Sequence, residues 1–367
     1  MKIDEFIEAL EADFFVGVPD SQLKVLCNYL MQTYVINKKH HIIAANEDNA
    51  VAIAAGYNLA TGKVPVVYLQ NSGEGNIINP IVSLTSPKVY GIPEIFIVGL
   101  RGEPNLKDEP QHKFQGEITL KLLEDIQINY FIIDKETGCD DLVNTMNQFK
   151  NDLRDGRSIA FVIKKDAFIG GEKIEYKNKY KLTREDAIEC IVKNAGEDLI
   201  VSTTGKTSRE LYEIRERRAE SHNKDFLTVG SMGHASSIAL GIALSRPDKK
   251  VWCIDGDGAM LMHMGAMSVI GNLKVENYIH IVINNGAHES AGGQPTMLKD
   301  IDISKIAKVV GYEYIGVAND ITELDNIIKN IRKYPVLIEV RCAIKSRKDL
   351  GRPKLTPYDN KKCLWIL

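Results

Sequence analysis

Several features are scarce in this 367-residue chain, and each scarcity excludes a class of protein. No apolar run approaches the roughly 20 residues that span a bilayer; the longest, such as Ile95–Leu100 and Ile279–Ile283, are strand-sized. Excess charge of either sign is missing too. A net charge of −3 gives no reason to expect nucleic acid or an anionic membrane as partner. The six cysteines (Cys27, Cys139, Cys190, Cys253, Cys342, Cys363) include no CxxC pair. That argues against a zinc site and a disulfide framework, and for free thiols in a reducing cytoplasm. The first residues, MKIDEFIEALEADFF, carry acids inside their apolar stretch and do not read as a signal peptide. Fixed-period repeats and low-complexity tracts are also missing.

What is present is an ordinary globular composition, 44% hydrophobic and 26% charged, at a length that suits two domains of about 150–180 residues. Short β-branched runs alternate with longer helical stretches, the pattern of a parallel sheet covered on both faces. The first half predicts strands at Phe14–Val18, His41–Ala45, Val64–Leu69, Glu94–Val98, Tyr130–Ile133 and Ser158–Ile163. A polar stretch with Gly170, Gly171 and several lysines then reads as a linker, 169–183. Beyond it a helix is expected at Arg184–Asn194, with strands at Leu199–Thr203, Val251–Ile254, Tyr278–Ile283 and Val336–Arg341. The expected fold is α/β: two open, mostly parallel sheet domains, 1–168 and 184–367, with no third domain between them.

The most informative segment is VWCIDGDGAMLMHMGAMSVIGNLKVENYIHIVINNGAHES. A buried strand enters Gly256-Asp257-Gly258, helical spacing follows through Met260, Met264, Met267 and Ile270, and a second strand ends in Asn284-Asn285-Gly286. A βαβ unit sets its two strands parallel, so Asp257 and Asn285 meet at the edge where open α/β sheets bind ligands. A carboxylate, an amide oxygen and a backbone carbonyl beyond the asparagine form an incomplete all-oxygen cage. It suits Mg²⁺ or Ca²⁺, completed by phosphate oxygens and water. Gly258 and Ala259 open the helix, where small side chains let backbone N–H groups approach a phosphate. Taken singly, Asp-Gly and Asn-Gly are turn residues; their spacing on one strand–helix–strand frame makes the pair informative. Gly205-Lys206-Thr207 imitates the end of a P-loop, but that signature requires glycine where Ile200 stands. A glycine turn opening a helix still suits an anion, which leaves Gly205 and Lys206 as candidates for contacting a diphosphate or a substrate.

The GDG–NN pair resembles the diphosphate-binding signature of thiamine diphosphate enzymes. The resemblance implies that Asp257 and Asn285 are side-chain ligands and Ala287 a backbone ligand of Mg²⁺, with Ca²⁺ or Mn²⁺ as substitutes. In such enzymes a glutamate activates the cofactor by hydrogen-bonding its aminopyrimidine ring. Glu47, at the strand-to-helix junction of HHIIAANEDNAVAIAAGYNLATGK, is the matching residue; without the resemblance, an acid there simply offsets a helix dipole. The carbonyl of Gly230 would accept from the aminopyrimidine amine, and Met232 would wedge between the cofactor rings rather than fill a core. The resemblance further implies a homodimer or homotetramer with its sites at the subunit interface.

Over nearly its whole length the chain is similar to the two-domain phosphonopyruvate decarboxylases, in FFVGVPDS, QNSGEGN, RGEPNLKDEPQH, NNGAHESAGGQPT and SRKDLGRP. That implies conversion of 3-phosphonopyruvate to phosphonoacetaldehyde and CO₂ in phosphonate biosynthesis. Sulfopyruvate decarboxylase, a carboligase and a non-catalytic cofactor-binding protein are the alternatives. A doubly anionic 2-oxo acid needs donors and cations at its site. The candidates are Ser21, Asn71, His112 and His288, and the basic tail of Arg347, Lys348 and Arg352 is expected either to close over the site or to stay solvated. Three residues depart from the family pattern: Asp48 in place of glycine, Glu74 in place of an apolar residue, and Ala291 in place of threonine. Two extra carboxylates would disfavour an anionic substrate if they faced it.

Overall fold

Short runs of Val, Ile and Phe pair side by side as parallel strands here, because each is followed by a helix that returns the chain to the starting edge. The computed structural model describes residues 1–298 and 301–365; Lys299, Asp300, Ile366 and Leu367, all within the expected second domain, lie outside the described residues. The chain divides into two units, Met1–Glu175 with Ser290–Gln294, and Tyr176–Glu289 with Pro295–Leu367.

The first unit holds β1 (Phe15–Gly17), β2 (His41–Ile43), β3 (Val66–Gln70), β4 (Ile95–Gly99), β5 (Asn129–Ile133) and β6 (Ile159–Ile163), in the order β2-β1-β3-β4-β6-β5. All its pairings are parallel. Alternate residues feed two cores: Tyr68, Ile97 and Phe161 pack under Phe6 and Phe149, while Val67, Phe96 and Ala160 pack with Val51 and Ile77. Each buried Val, Ile or Phe among them contributes about 1.5–3 kcal/mol.

The second unit holds β7 (Leu199–Ser202), β8 (Asp225–Leu227), β9 (Val251–Gly256), β10 (Tyr278–Asn284), β11 (Tyr314–Ala318) and β12 (Val336–Arg341), ordered β11-β12-β10-β9-β7-β8 and again wholly parallel. Ile200, Trp252 and Ile281 face one core, Val201, Cys253 and Val282 the other. Two fully apolar faces explain why the central strands read as continuous hydrophobic runs. No helix among the described residues is long and apolar enough to cross a membrane.

Every strand expected from the sequence is present, and two strands of the second six-stranded sheet were not foreseen. Asp225–Leu227 hides its signal because Asp225 is a buried acid held by the Arg215 fork at 2.9 Å through Nε and Nη2. Tyr314–Ala318 is an edge strand, mostly half-buried, with Gly316 at its centre. The single helix expected from Met260 to Ile270 is two, Asp257–Met262 and Gly265–Leu273. The chain leaves the helical basin at His263 (φ −132°, ψ 46°), and Met264 is exposed there.

Candidate active site

In the second unit the site begins where β9 stops. Asp257 opens a helix immediately after Gly256, so it lies among backbone N–H groups that have no helical partner. Its carboxylate is 4% exposed, accepts the Thr296 hydroxyl at 2.7 Å, and lies against the N–H groups of Gly258 and Gly286. Among the described residues it has no lysine or arginine partner, and burial pushes the carboxyl up to about 6. A group in that condition favours a cation. β10 runs beside β9, with Ile283 opposite Gly256, and delivers Asn285 to the same edge. The Asn285 Nδ2 donates to Glu289 Oε2 at 3.2 Å, while its Oδ1 accepts the Ala287 N–H at 3.0 Å. The Ala287 carbonyl accepts the Glu289 N–H at 2.9 Å and keeps a second lone pair. A carboxylate, an amide oxygen and a carbonyl form a donor set that fits Mg²⁺. The turn is also tight: a Cβ on Gly258 would come within 3.2 Å of the His288 ring and 3.3 Å of the Thr296 methyl.

Gly205, at φ +87°, precedes the helix Lys206–Arg217. The Lys206 amine donates to Glu289 Oε1 at 2.9 Å and to Ser346 Oγ at 2.7 Å. Glu289 also takes Arg184 Nη1 at 2.9 Å, and Arg184 forks onto Glu210 at 2.7 and 2.8 Å. One carboxylate therefore joins Asn285, Lys206 and Arg184. Sequence reasoning overlooked Glu289; the available signal was an acid four residues after a candidate ligand. In the loop after β8, Ser231 takes φ +49° and Met232 is 37% exposed, so core filling does not account for this methionine.

In the first unit, Asn46 caps the helix Glu47–Thr61 by accepting the Asn49 N–H at 3.0 Å, which sets Glu47 on the first turn at the end of β2. Glu47 is 5% exposed and accepts Asn76 Nδ2 at 2.7 Å. Burial raises its carboxyl above the ordinary value, with the Asn76 bond pulling the other way. Gly73 makes room for it, since a Cβ there would lie 2.5 Å from the Glu47 carboxyl carbon.

Comparisons with known proteins match two regions of the chain. Residues 3–124 match the thiamine pyrophosphate enzyme N-terminal TPP binding domain, and 203–340 the C-terminal TPP binding domain. A phosphonopyruvate decarboxylase of Streptomyces viridochromogenes is 32% identical over 94% of this chain and 88% of its own length. The chain belongs to the thiamine pyrophosphate enzymes. A second phosphonopyruvate decarboxylase, from Streptomyces hygroscopicus, is 30% identical over 94% of this chain and 87% of its own. A sulfopyruvate decarboxylase of Methanosarcina acetivorans is 29% identical over 92% and 88%. The two matched regions fall one on each parallel sheet, and no third domain stands between the sheets.

For a thiamine pyrophosphate enzyme acting on an anion, the four substrate candidates behave unexpectedly. Asn71 is fully buried and spends its amide inside the unit: Oδ1 accepts the Arg101 N–H at 3.1 Å, and Nδ2 donates to the Arg101 carbonyl at 2.8 Å and to Thr119 Oγ1 at 2.9 Å. Ser21 Oγ accepts Arg101 Nη1 at 3.1 Å. Burial and then the Arg101 charge hold the His112 imidazole below its ordinary value. His288 is partly accessible in the second unit, but burial of its ring pushes it down to about 4. Neither histidine supplies positive charge at neutral pH. Three of the four candidates instead converge on Arg101, which sequence reasoning did not single out. In the basic tail, Arg347 is engaged by Glu185, Glu213 and Asp349.

The two added acids have opposite surroundings. Asp48 is exposed and accepts the Asn49 N–H at 2.8 Å. Glu74 is 2% exposed, and neither of its oxygens has a hydrogen-bond partner among the described residues. Burial pushes its carboxyl up to about 8, so it is mostly neutral at pH 7. Ala291 is buried.

Proposed function

We propose that this chain decarboxylates 3-phosphonopyruvate to phosphonoacetaldehyde and CO₂, a step of phosphonate biosynthesis, with thiamine diphosphate and Mg²⁺. The observation that carries this reading is similarity to two phosphonopyruvate decarboxylases over 94% of the chain. Bound thiamine diphosphate supplies the electron sink that lets a 2-oxo acid lose CO₂. In this reading residues 1–168 bind the pyrimidine end and 184–367 the diphosphate end, joined by 169–183.

Asp257, Asn285 Oδ1 and the Ala287 carbonyl hold the metal, and the metal with the N–H groups of Gly258 and Ala259 fixes the diphosphate. Gly205 and Lys206 stand beside it. Lys206 gives two of its three N–H donors to Glu289 and Ser346, and the third would serve the diphosphate. Glu47 is the acid that shares a proton with the aminopyrimidine; its buried site, which favours the neutral form, is suited to that exchange. The Gly230 carbonyl and the exposed Met232 orient the ring. We assign the working form to a cytoplasmic homodimer or homotetramer, the glutamate domain of one subunit serving the diphosphate domain of another.

Sulfopyruvate is the second reading, favoured by the Methanosarcina acetivorans relative, whose similarity also runs nearly end to end. CO₂ release from phosphonopyruvate, sulfopyruvate and pyruvate, with thiamine diphosphate and Mg²⁺ present, separates the two. The highest kcat/KM is expected for phosphonopyruvate; inertness towards all three acids sinks the decarboxylase reading.

A further inference from the structure

The edge of the first sheet carries a polar cluster that neither Glu47 nor the cofactor accounts for. It is built around Arg101, two residues past the end of β4. Asp108 faces the guanidinium as a fork, taking Nε on Oδ2 at 2.9 Å and Nη2 on Oδ1. Asp108 in turn accepts the Gly102 N–H at 2.9 Å and the Glu109 N–H at 2.8 Å. Against the pull of its own burial, these donors hold its carboxyl well below the usual range. Asn71 clamps the Arg101 backbone from both sides, and Ser21 touches Nη1. The guanidinium is thus fixed at main chain and head while its side chain stays 23% exposed.

Two residues near Arg101 carry buried polar atoms that have no hydrogen-bond partner among the described residues, Gln22 Nε2 and His112 Nδ1. Gln22 packs against the end of β4, its Cβ within 3.1 Å of where a Gly99 side chain would begin, and His112 feels the Arg101 charge. Buried polar groups are almost always satisfied, so an unsatisfied cluster beside a preoriented guanidinium indicates a missing partner. The fork and the serine use three of the five guanidinium N–H groups. The complement is a compact group rich in acceptor oxygens. A carboxylate is planar and is already represented by Asp108; a tetrahedral oxyanion offers oxygens to the guanidinium, the serine hydroxyl and the amide together.

We propose that Arg101, preoriented by Asp108 and flanked by Ser21, Gln22 and His112, binds the tetrahedral oxyanion tail, phosphonate or sulfonate, of the 2-oxo acid substrate. This rests on the decarboxylase reading above and names the residue that decides its substrate class. Arg101 would touch the substrate; Asp108 is a positioning residue.

The test compares the holoenzyme with its Arg101→Met, Arg101→Lys and Asp108→Asn variants on phosphonopyruvate, sulfopyruvate and pyruvate. Arg101→Met is expected to lower kcat/KM for the two tailed acids on the order of 100-fold, chiefly through KM. Lysine, which keeps the charge and loses the fork, should recover part of that. Pyruvate turnover and thiamine diphosphate affinity should stay within a few fold. Equal losses on all three acids, or no loss on any, overturn the proposal. Calorimetry with phosphonoacetate and sulfoacetate gives a second readout and shows which tail is preferred. Wild-type protein that binds neither anion also overturns it. Wild-type protein that binds them but decarboxylates nothing leaves the Arg101 site standing and removes the functional reading. Should Arg101→Met fail to fold, as judged by its melting curve, the lysine variant and the anion titration decide.

Discussion

Numbered within each unit, the two sheets have the same strand order, 2-1-3-4-6-5, yet their ligand edges carry different chemistry. In the second unit the third and fourth strands run into Asp257 and Asn285, oxygen donors that suit a metal ion. In the first unit the same two strands run into Asn71 and Arg101, where the cation is a side chain. Topology decides where a site can be; the residues just past the strand ends decide what it does. Buried charge differs as well. The second unit pairs buried Glu210 with Arg184 and buried Asp225 with Arg215, and keeps Asp257 at the metal edge without a cationic side chain among the described residues. The first unit buries Glu74 and Glu94 with no partner for either carboxyl among the described residues, and Glu47 with only an amide.

Separating the two edges by mutation gives the largest effects. Glu47→Gln should cut CO₂ release on the order of 1,000-fold while thiamine diphosphate still binds. Asp257→Asn should abolish the Mg²⁺-dependent rise in melting temperature that the cofactor gives the wild type. Activity assays run beside calorimetry and melting tell them apart, and variants that fail identically in both would break the comparison.

Glu289→Ala should act more mildly. Freed from Glu289, the Asn285 amide loses its orientation, and thiamine diphosphate affinity should fall about 10- to 100-fold, the range seen when supporting bonds to metal ligands are removed. An unchanged dissociation constant would mean that Glu289 serves only the Arg184 pair.

The smallest effect concerns pH. The folded-state carboxyl of Glu74 is raised from 4.5 to about 8, so its share of stability is complete below about pH 4.5 and is lost as pH rises through 8. Glu74→Gln should flatten that slope when denaturant unfolding is followed at pH 6 and pH 8.5. A wild-type stability that rises over this window would contradict the buried, neutral carboxyl.

Much of this molecule was legible beforehand because parallel strands buried on both faces must be apolar, and because GDG and NN stand on one βαβ frame. Arg101 was not legible. Its role depends on Asp108, in the loop that follows, and on Ser21, which sequence separation hides. The two histidines looked like cations until burial was known. Cys253, Asp255 and His280, with ligand atoms within 4.8 Å of one another, were equally invisible: adjacent strands bring them onto one buried face, where His280 also meets the Tyr312 hydroxyl at 3.1 Å. The break at His263 escaped because Met260, Met264 and Met267 keep helical spacing across it.

The wholly parallel pairing of both sheets has a kinetic consequence. Within these two six-stranded sheets no two neighbouring strands are joined by a hairpin among the described residues, so even their closest partners in sequence, Tyr314 and Val336, must close a full crossover before their first bond forms. Neither sheet offers a local nucleus, and the chain must search through non-local encounters with its apolar strands uncovered. Slow refolding and a tendency to aggregate at high concentration follow from the same connectivity that brings the functional residues to one edge of each sheet.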